Sequence, residues 1–179
     1  MSQQPELSFP LTVEEVVMMG RYPHFHFNPD KRDEEICNEV MHRMNLTSFK
    51  ERNYLTLSGG EKQRVQFARV LAQIWEKPAQ GYRYLFLDEP LNNLDISYQQ
   101  EFLKLSVEFS KANTVLIAIL HDINLALAYA SRILFMKAGT IAYDIHPEEL
   151  TSSIIKEVFD VNASVIRPPG TARPVVIYQ

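Results

Sequence analysis

Two acidic residues and a histidine directly follow apolar runs of this sequence. Asp88 and Glu89 follow the run at residues 84–87, and His121 follows the run at residues 115–120. Ligands lie beyond the carboxyl ends of the strands in an open parallel sheet, so these side chains share one edge if the runs are neighbouring parallel strands. Asp88 would then suit a Mg²⁺ site, directly or through water, and Glu89 would suit deprotonation of an attacking water. The alternative is that this acidic pair only caps the next turn.

Residues 57–61, Leu-Ser-Gly-Gly-Glu, combine a helix-capping pattern with two glycines. Ser58 and Glu61 have the spacing of a capping box, in which each side chain accepts a hydrogen bond from the other residue's backbone amide. Capping does not explain Gly59 and Gly60, because a glycine within a helix costs about 1 kcal/mol relative to alanine. Without side chains, these glycines leave the amides of a helix N-terminus open to an anion. The motif therefore indicates either a structural cap or a phosphate contact, and its composition favours the phosphate contact.

The spacing of apolar residues predicts three successive helices in the first part of the chain. The first begins after Thr12, which forms a capping box with Glu15, and it ends near Gly20. The second and third span residues 30–44 and 59–75. Three helices in succession predict a helical subdomain that presents the 57–61 motif at the start of its last helix.

The pattern then changes to continuous apolar runs at residues 84–87 and 115–120, which are typical of strands covered on both faces. A predicted helix at residues 97–111 lies between them, so this part reads as one βαβ unit of a parallel sheet. The remaining predicted elements are a helix at 124–130, a strand at 133–136, a hairpin partner at 139–143, a helix at 152–159 and an extended segment at 175–178.

Composition restricts the class of protein. The 179 residues are 46% hydrophobic, which is enough to fill a core and excludes a disordered or fibrous protein. The net charge is −4 with scattered lysines and arginines, so we expect no nucleic-acid partner. Cys37 is the only cysteine, which excludes an intrachain disulfide and fits a reducing cytoplasm. No apolar run approaches the length of a membrane span, so we expect any membrane role to come through a partner.

Five segments of the sequence match motifs of one enzyme family, in the family's order and at its spacing. The chain resembles the ATPases of the ATP-binding-cassette (ABC) family. The matching segments are the signature motif at residues 57–64 (LSGGEKQR), the Walker B strand at 85–90 (LFLDEP), the end of the D-loop at Leu94 and Asp95, the switch histidine His121 and the Q-loop glutamine Gln3. The D-loop departs mildly from many relatives, which have threonine, serine and alanine where this chain has Leu91, Asn92 and Asn93.

The resemblance implies a composite site formed by two ATPase subunits in a head-to-tail dimer. In this family, the signature residues of one subunit contact the γ-phosphate of ATP held by the other. Ser58, Gly59 and Gly60, together with Glu61, would therefore bind nucleotide in trans. Asp95 would lie at the dimer interface beside the nucleotide.

The resemblance also implies roles for the residues that act within one subunit. Asp88 would support Mg²⁺, Glu89 would act as the general base, and His121 would contact the γ-phosphate. Gln3 would reach the metal and the attacking water, and it would link ATP to transmembrane permease subunits. The implied location is peripheral, on the cytoplasmic face of the inner membrane.

The sequence lacks the P-loop of this family. That loop ends in Gly-Lys-Ser/Thr, and none of the six glycines here precedes a lysine. We therefore expect the α/β P-loop NTPase fold of ABC ATPases, a parallel sheet with an α-helical subdomain, without its N-terminal P-loop strand and antiparallel subdomain. Such a sheet would have unpaired edges and an open apolar face. We favour a fragment whose start is an internal methionine, and the alternative is that something else completes the sheet.

The resemblance implies a division into three parts. Residues 1–78 would hold the Q-loop and the helical signature subdomain, residues 79–146 the Walker B and switch-histidine part of the core, and residues 147–179 a C-terminal helix and an extended tail.

Finer resemblance concerns the transported cargo. Residues 1–21 look like the iron-complex and cobalamin importer branch, and residues 64–75 and 167–178 are similar to haem importer subunits. The implied function is an ATP-hydrolysing subunit that energises haem import without touching the haem. The alternatives are a siderophore or cobalamin importer, and a non-hydrolysing remnant that acts as an interaction module. We interpret His24 and His26 as loop or interface residues rather than haem ligands, and Cys37 as a buried small hydrophobe.

Overall fold

The computed structural model describes residues 9–78, 80–92, 94–110 and 113–179. The helices are α1 (Val13–Met18), α2 (Lys31–Arg43), α3 (Gly59–Ile74), α4 (Ile96–Ser110), α5 (Ile123–Tyr129) and α6 (Ser152–Phe159). The strands are β1 (Arg83–Asp88), β2 (Thr114–Ile119), β3 (Ile133–Lys137), β4 (Thr140–Ile145), β5 (Ala163–Ile166) and β6 (Val175–Tyr178). Short 3-10 turns cover Met19–Arg21, Thr47–Phe49, Tyr54–Thr56 and Pro147–Glu149.

The three predicted N-terminal helices are confirmed, and a capping box starts each of them. Thr12 caps α1 with Glu15, Asp30 caps α2, and Ser58 caps α3. Each helix turns an apolar stripe inward, so that the buried side chains of all three belong to one hydrophobic core.

A glycine sets the distance between the end of α1 and α3. Gly20 lies in the 3-10 turn that follows α1, and a Cβ atom there would lie 2.0 Å from the Arg69 carbonyl oxygen of α3. Next to it, Arg21 is buried and donates hydrogen bonds to Asp33 of α2 and to the carbonyl oxygen of Ala72 in α3. The turn at residues 19–21 therefore fastens the three helices together.

The predicted βαβ unit is confirmed by β1 and β2, which pair in parallel from Arg83 opposite Thr114 to Asp88 opposite Ile119. Leu85 and Leu87 of β1 pack into the first core with buried residues of α4. The expectation, drawn from composition, that both faces of these strands are covered is wrong for the described residues, whereas the open apolar face expected for a sheet without the P-loop strand is confirmed. Successive side chains of a strand point to opposite faces, and those of the second face remain 38–70% exposed. These are Tyr84, Phe86, Val115, Ile117 and Ile119.

The C-terminal part forms a second core around α5 and α6. The predicted hairpin is present as β3 and β4, joined by Ala138 and Gly139, both with positive φ, as a tight two-residue turn requires. The predicted extended segment is β6, and its antiparallel partner β5 was not predicted from the sequence. The boundaries predicted at residues 78 and 146 stay predictions.

No helix in the part of the chain that the structure describes combines the length and the apolar character needed to cross a membrane.

Candidate active site

The parallel pairing of β1 and β2 places the predicted acidic residues and the predicted histidine at one edge of the sheet. Asp88 is the last residue of β1 and lies exposed opposite Ile119 of β2. Glu89 follows with a φ of 47°, a left-handed conformation that a non-glycine residue seldom adopts. This conformation ends the strand and begins the turn that Pro90 continues. His121 stands just beyond the end of β2, next to Glu89.

The carboxylate of Glu89 makes two hydrogen bonds, one at each oxygen. Its Oε1 lies 2.7 Å from Nε2 of His121, and its Oε2 accepts a 2.6 Å bond from Nδ2 of Asn92. An ionised carboxylate only accepts hydrogen bonds, so Nε2 carries the proton in the first contact. The bond from His121, followed by the bond from Asn92, lowers the pKa of Glu89 below its ordinary value. Glu89 is therefore an ionised carboxylate of fixed orientation.

Asp88 fits the kind of site that Mg²⁺ uses. Its carboxylate supplies a hard oxygen ligand at the exposed carboxyl edge of the sheet. Among the described residues, no three His, Cys, Asp or Glu side chains are grouped closely enough to hold a metal ion by themselves. Mg²⁺ usually binds through one or two protein oxygens together with phosphates and water, so a single exposed carboxylate fits a metal that arrives with a nucleotide.

The start of α3 carries the second group of predicted residues. Ser58 Oγ accepts a 3.3 Å bond from the Glu61 amide, and Glu61 Oε2 accepts a 2.7 Å bond from the Ser58 amide. The bonds from Ser58 lower the pKa of Glu61. The capping interpretation is therefore confirmed, but it leaves open the amides of Gly59 and Gly60, which are first-turn amides without an acceptor inside the helix. A cap and an anion site can coexist here.

Amide side chains that the sequence analysis did not select connect these two groups. Gln63 of α3 donates a 3.2 Å bond to the carbonyl oxygen of Pro90, directly after Glu89. Gln99 of α4 donates to the carbonyl oxygens of Leu91 and Leu94 at 3.3 and 3.2 Å. Asn92 completes the set through its bond to Glu89. The only sequence-level indication of these residues is the presence of amides inside or beside the signature and D-loop segments.

Two of the predicted site residues remain, Asp95 and Gln3. Asp95 accepts a 3.0 Å bond from the Tyr98 amide at the start of α4. Gln3 lies outside the described residues. The structure thus brings Glu89 and His121 into contact, with Asp88 adjacent in the chain, and Gln63 links the signature helix to the turn that follows Glu89.

Three residues outside this site, His24, His26 and Cys37, are interpreted from the sequence as loop or core residues without a ligand role. His24 and His26 are exposed in the loop before α2, and His24 Nε2 lies 2.8 Å from the carbonyl oxygen of Gln73. Cys37 is fully buried, and this burial raises its pKa to about 12. The prediction of a buried small hydrophobe is confirmed for Cys37.

Comparison with known proteins decides the family. The profile of the ABC transporter family matches residues 1–92. The chain belongs to the ABC transporter family. It is 43% identical over 176 residues to the hemin import ATP-binding protein HmuV of Gloeobacter violaceus, a match that covers 98% of this chain and 64% of that protein. It is 39% identical over 177 residues to HmuV of Bordetella avium, covering 98% of this chain and 67% of the relative.

The fold agrees with this family. A solved structure of a metal-chelate type ABC transporter in an inward-facing conformation superposes with a TM-score of 0.79 at 25% identity, over 99% of this chain and 70% of the other. The expected fold class, that of ABC ATPase cassettes, is confirmed. The chain spans 64% of the length of its Gloeobacter relative.

Proposed function

We propose that this chain belongs to the ATP-binding and ATP-hydrolysing subunit of an ABC importer, and that the imported cargo is haem. The observation that carries the proposal is the contact between Glu89 and His121 at the carboxyl edge of the parallel pair. General bases must be ionised and close to the proton that they remove, and Glu89 is an oriented, ionised carboxylate with a lowered pKa.

The proposed reaction is hydrolysis of the γ-phosphate of ATP. Water gives a proton to Glu89 while its oxygen bonds to the γ-phosphorus. The bond from phosphorus to the bridging oxygen breaks, and that oxygen leaves with ADP. His121 has a 71% exposed side chain and would donate a hydrogen bond to an oxygen of the γ-phosphate. Asp88 and Gln3 would hold Mg²⁺, which when bound neutralises charge on the phosphates.

The second part of the proposed site acts across an interface. The start of α3 would present its N-terminal amides to ATP bound by a second ABC ATPase subunit arranged head to tail. The residues concerned are Ser58, Gly59, Gly60 and Glu61. Asp95 would lie in the same interface. Transmembrane permease subunits would be the other partners, with the complex on the cytoplasmic face of the inner membrane. The names of the two HmuV relatives support an importer.

Haem is proposed as the cargo because both relatives are named as hemin import proteins and match almost the whole of this chain. The ATPase contacts the cargo only indirectly. Cells that lack this gene and use haem as their only iron source provide the test. We expect growth to return with the wild-type gene and not with Glu89→Gln. If the wild-type gene restores the use of a siderophore or of cobalamin but not of haem, that compound is the cargo in place of haem.

Purified chain at millimolar Mg-ATP tests the hydrolysis itself. We expect Glu89→Gln to lower kcat by about 100-fold or more, because it removes the general base. Glu35→Gln is the matched control, since Glu35 is a half-exposed glutamate of α2 that pairs with Arg32 on the same helix. Absence of both turnover and nucleotide binding would refute the autonomous enzyme and favour an interaction module.

A further inference from the structure

We infer that Asn92 is a positioning residue for Glu89, whose side-chain amide fixes the carboxylate in the orientation that proton removal from water requires. The inference rests on the proposed function, since it concerns the same general base. It begins from the two bonds at that carboxylate, 2.7 Å to His121 at one oxygen and 2.6 Å from Asn92 at the other.

Each hydrogen bond at a carboxylate restricts its rotation, and two bonds at different oxygens hold its plane more firmly than one. His121 is a weak support by itself because its side chain is 71% exposed, and the proposed reaction needs it at the γ-phosphate. Asn92 therefore supplies the bond that persists when His121 turns toward phosphate. Each carboxylate oxygen has about two lone-pair sites, so Glu89 keeps acceptor capacity for a water proton.

Four contacts hold the turn that carries Asn92. The Asn92 amide donates a 3.3 Å bond to the Glu89 carbonyl oxygen, which closes the turn between the two residues. Gln63 of α3 binds the Pro90 carbonyl oxygen, and Gln99 of α4 binds the Leu91 carbonyl oxygen. The side chain of Leu91 is only 9% exposed and anchors the turn in the first core. These contacts give Asn92 a fixed position from which its amide meets Glu89.

Asn92 itself is exposed, so its side chain adds little to the stability of the fold. A residue of this kind should affect the rate of the reaction while unfolding and nucleotide affinity stay unchanged. This separates a positioning role from a structural one. It also separates Asn92 from Gln63 and Gln99, which hold backbone carbonyl oxygens and would affect the turn as a whole.

Steady-state kinetics of three Asn92 variants test the inference. We expect Asn92→Ala to lower kcat about tenfold with KM for ATP changed less than about twofold, as for an interaction needed mainly in the transition state. Asn92→Asp should lower kcat further, because a second carboxylate repels Glu89 instead of donating to it. Asn92→Gln, which keeps the amide donor, should recover part of the rate. An unchanged kcat in Asn92→Ala would overturn the inference.

The matched control is Asn45→Asp, which removes another hydrogen bond from an exposed asparagine to a partly buried glutamate, from Asn45 Nδ2 to Glu101 Oε1 at 3.2 Å. We expect it to leave kcat unchanged. A loss of rate as large as that of Asn92→Asp would mean that the effect is general and would overturn the inference.

A second measurement does not depend on activity. In the nucleotide-free chain, nuclear magnetic resonance of the side-chain amides should show the Asn92 signal shifting when Glu89 is replaced by alanine, while the Asn45 signal stays in place. If the wild type hydrolyses no ATP, the proposed function fails, and this measurement alone decides whether Asn92 holds Glu89. An Asn92 signal that does not respond to Glu89→Ala would overturn the inference.

Discussion

Replacing Arg21 with methionine removes a buried cation from the helical region, and we expect it to lower the free energy of unfolding by about 3–5 kcal/mol. Arg21 is 2% exposed and Asp33 is 3% exposed. Arg21 Nε donates to Asp33 Oδ1 at 2.8 Å, Nη1 donates to the Ala72 carbonyl oxygen at 2.9 Å, and Nη2 donates to Glu76 Oε2 at 2.9 Å. The three bonds tie the turn after α1 to α2, to α3 and to Glu76, which follows α3.

The expected loss in free energy of unfolding comes mainly from the carboxylate of Asp33, which loses its countercharge. After the substitution, its carboxylate stays buried with the Asp30 amide, at 3.0 Å, as its remaining donor. A buried charge without its countercharge accounts for most of the expected loss. Glu76 contributes little because its side chain is 40% exposed and water replaces its partner. Methionine fills much of the space of the arginine stem, so a cavity adds little.

A double-mutant cycle with Asp33→Asn tests the origin of this loss. The neutral amide removes the buried charge, so we expect the double variant to be about 2 kcal/mol more stable than the sum of the single effects predicts. Urea unfolding followed by far-ultraviolet circular dichroism at neutral pH measures all four proteins. Arg43→Met is the control, since Arg43 pairs with Glu108 at the surface, and we expect a change below about 1 kcal/mol. Additive effects of the two single variants would refute the reasoning.

Two further predictions concern the same region. Gly20→Ala should destabilise the chain by about 1–3 kcal/mol, because its Cβ would meet the Arg69 carbonyl oxygen at 2.0 Å and force the turn away from α3; thermal unfolding measures this, and an unchanged midpoint would contradict the close approach. The pKa of Asp33 lies below its ordinary value, because burial raises it but the bonds from Arg21 and Asp30 outweigh the burial. The ionised Asp33 carboxylate therefore contributes its full share to the free energy of unfolding above the pKa of an unfolded aspartate, about 3.9, and this contribution is lost as the pH falls below that value. The urea midpoints of wild type and Asp33→Asn should therefore converge toward pH 2. A constant difference between them would contradict this assignment.

The helices could be predicted from the sequence because their causes are local. Thr12 with Glu15 and Ser58 with Glu61 define two helix starts within four residues each, and the apolar stripe of α3 repeats at helical spacing. The contact of Glu89 with His121 was also predictable, because parallel strands end at the same edge of a sheet. This inference needed only the order of the elements.

The missed features depend on the path of the chain in space. The groups that Asn92, Gln63 and Gln99 bind take their positions from the way the turn at residues 89–92 lies against α3 and α4, and no spacing rule encodes that arrangement. The strand β5 was missed because its four residues, Ala-Ser-Val-Ile, do not form a continuous apolar run, whereas the four residues of β6, Val-Val-Ile-Tyr, do. The composition of β1 did not predict its open second face, because an apolar side chain does not say what covers it; the expectation of an open face came instead from the absence of the P-loop sequence.

The left-handed conformation of Glu89 has a consequence for any effort to stabilise this protein. A glycine would adopt a φ of 47° without steric cost, so selection for stability alone would favour replacing the residue proposed as the general base. Ranking substitutions by backbone strain alone would therefore favour glycine at this position, and that change would remove the proposed chemistry. The turn that aims the carboxylate is a place where stability and activity compete for the same residue.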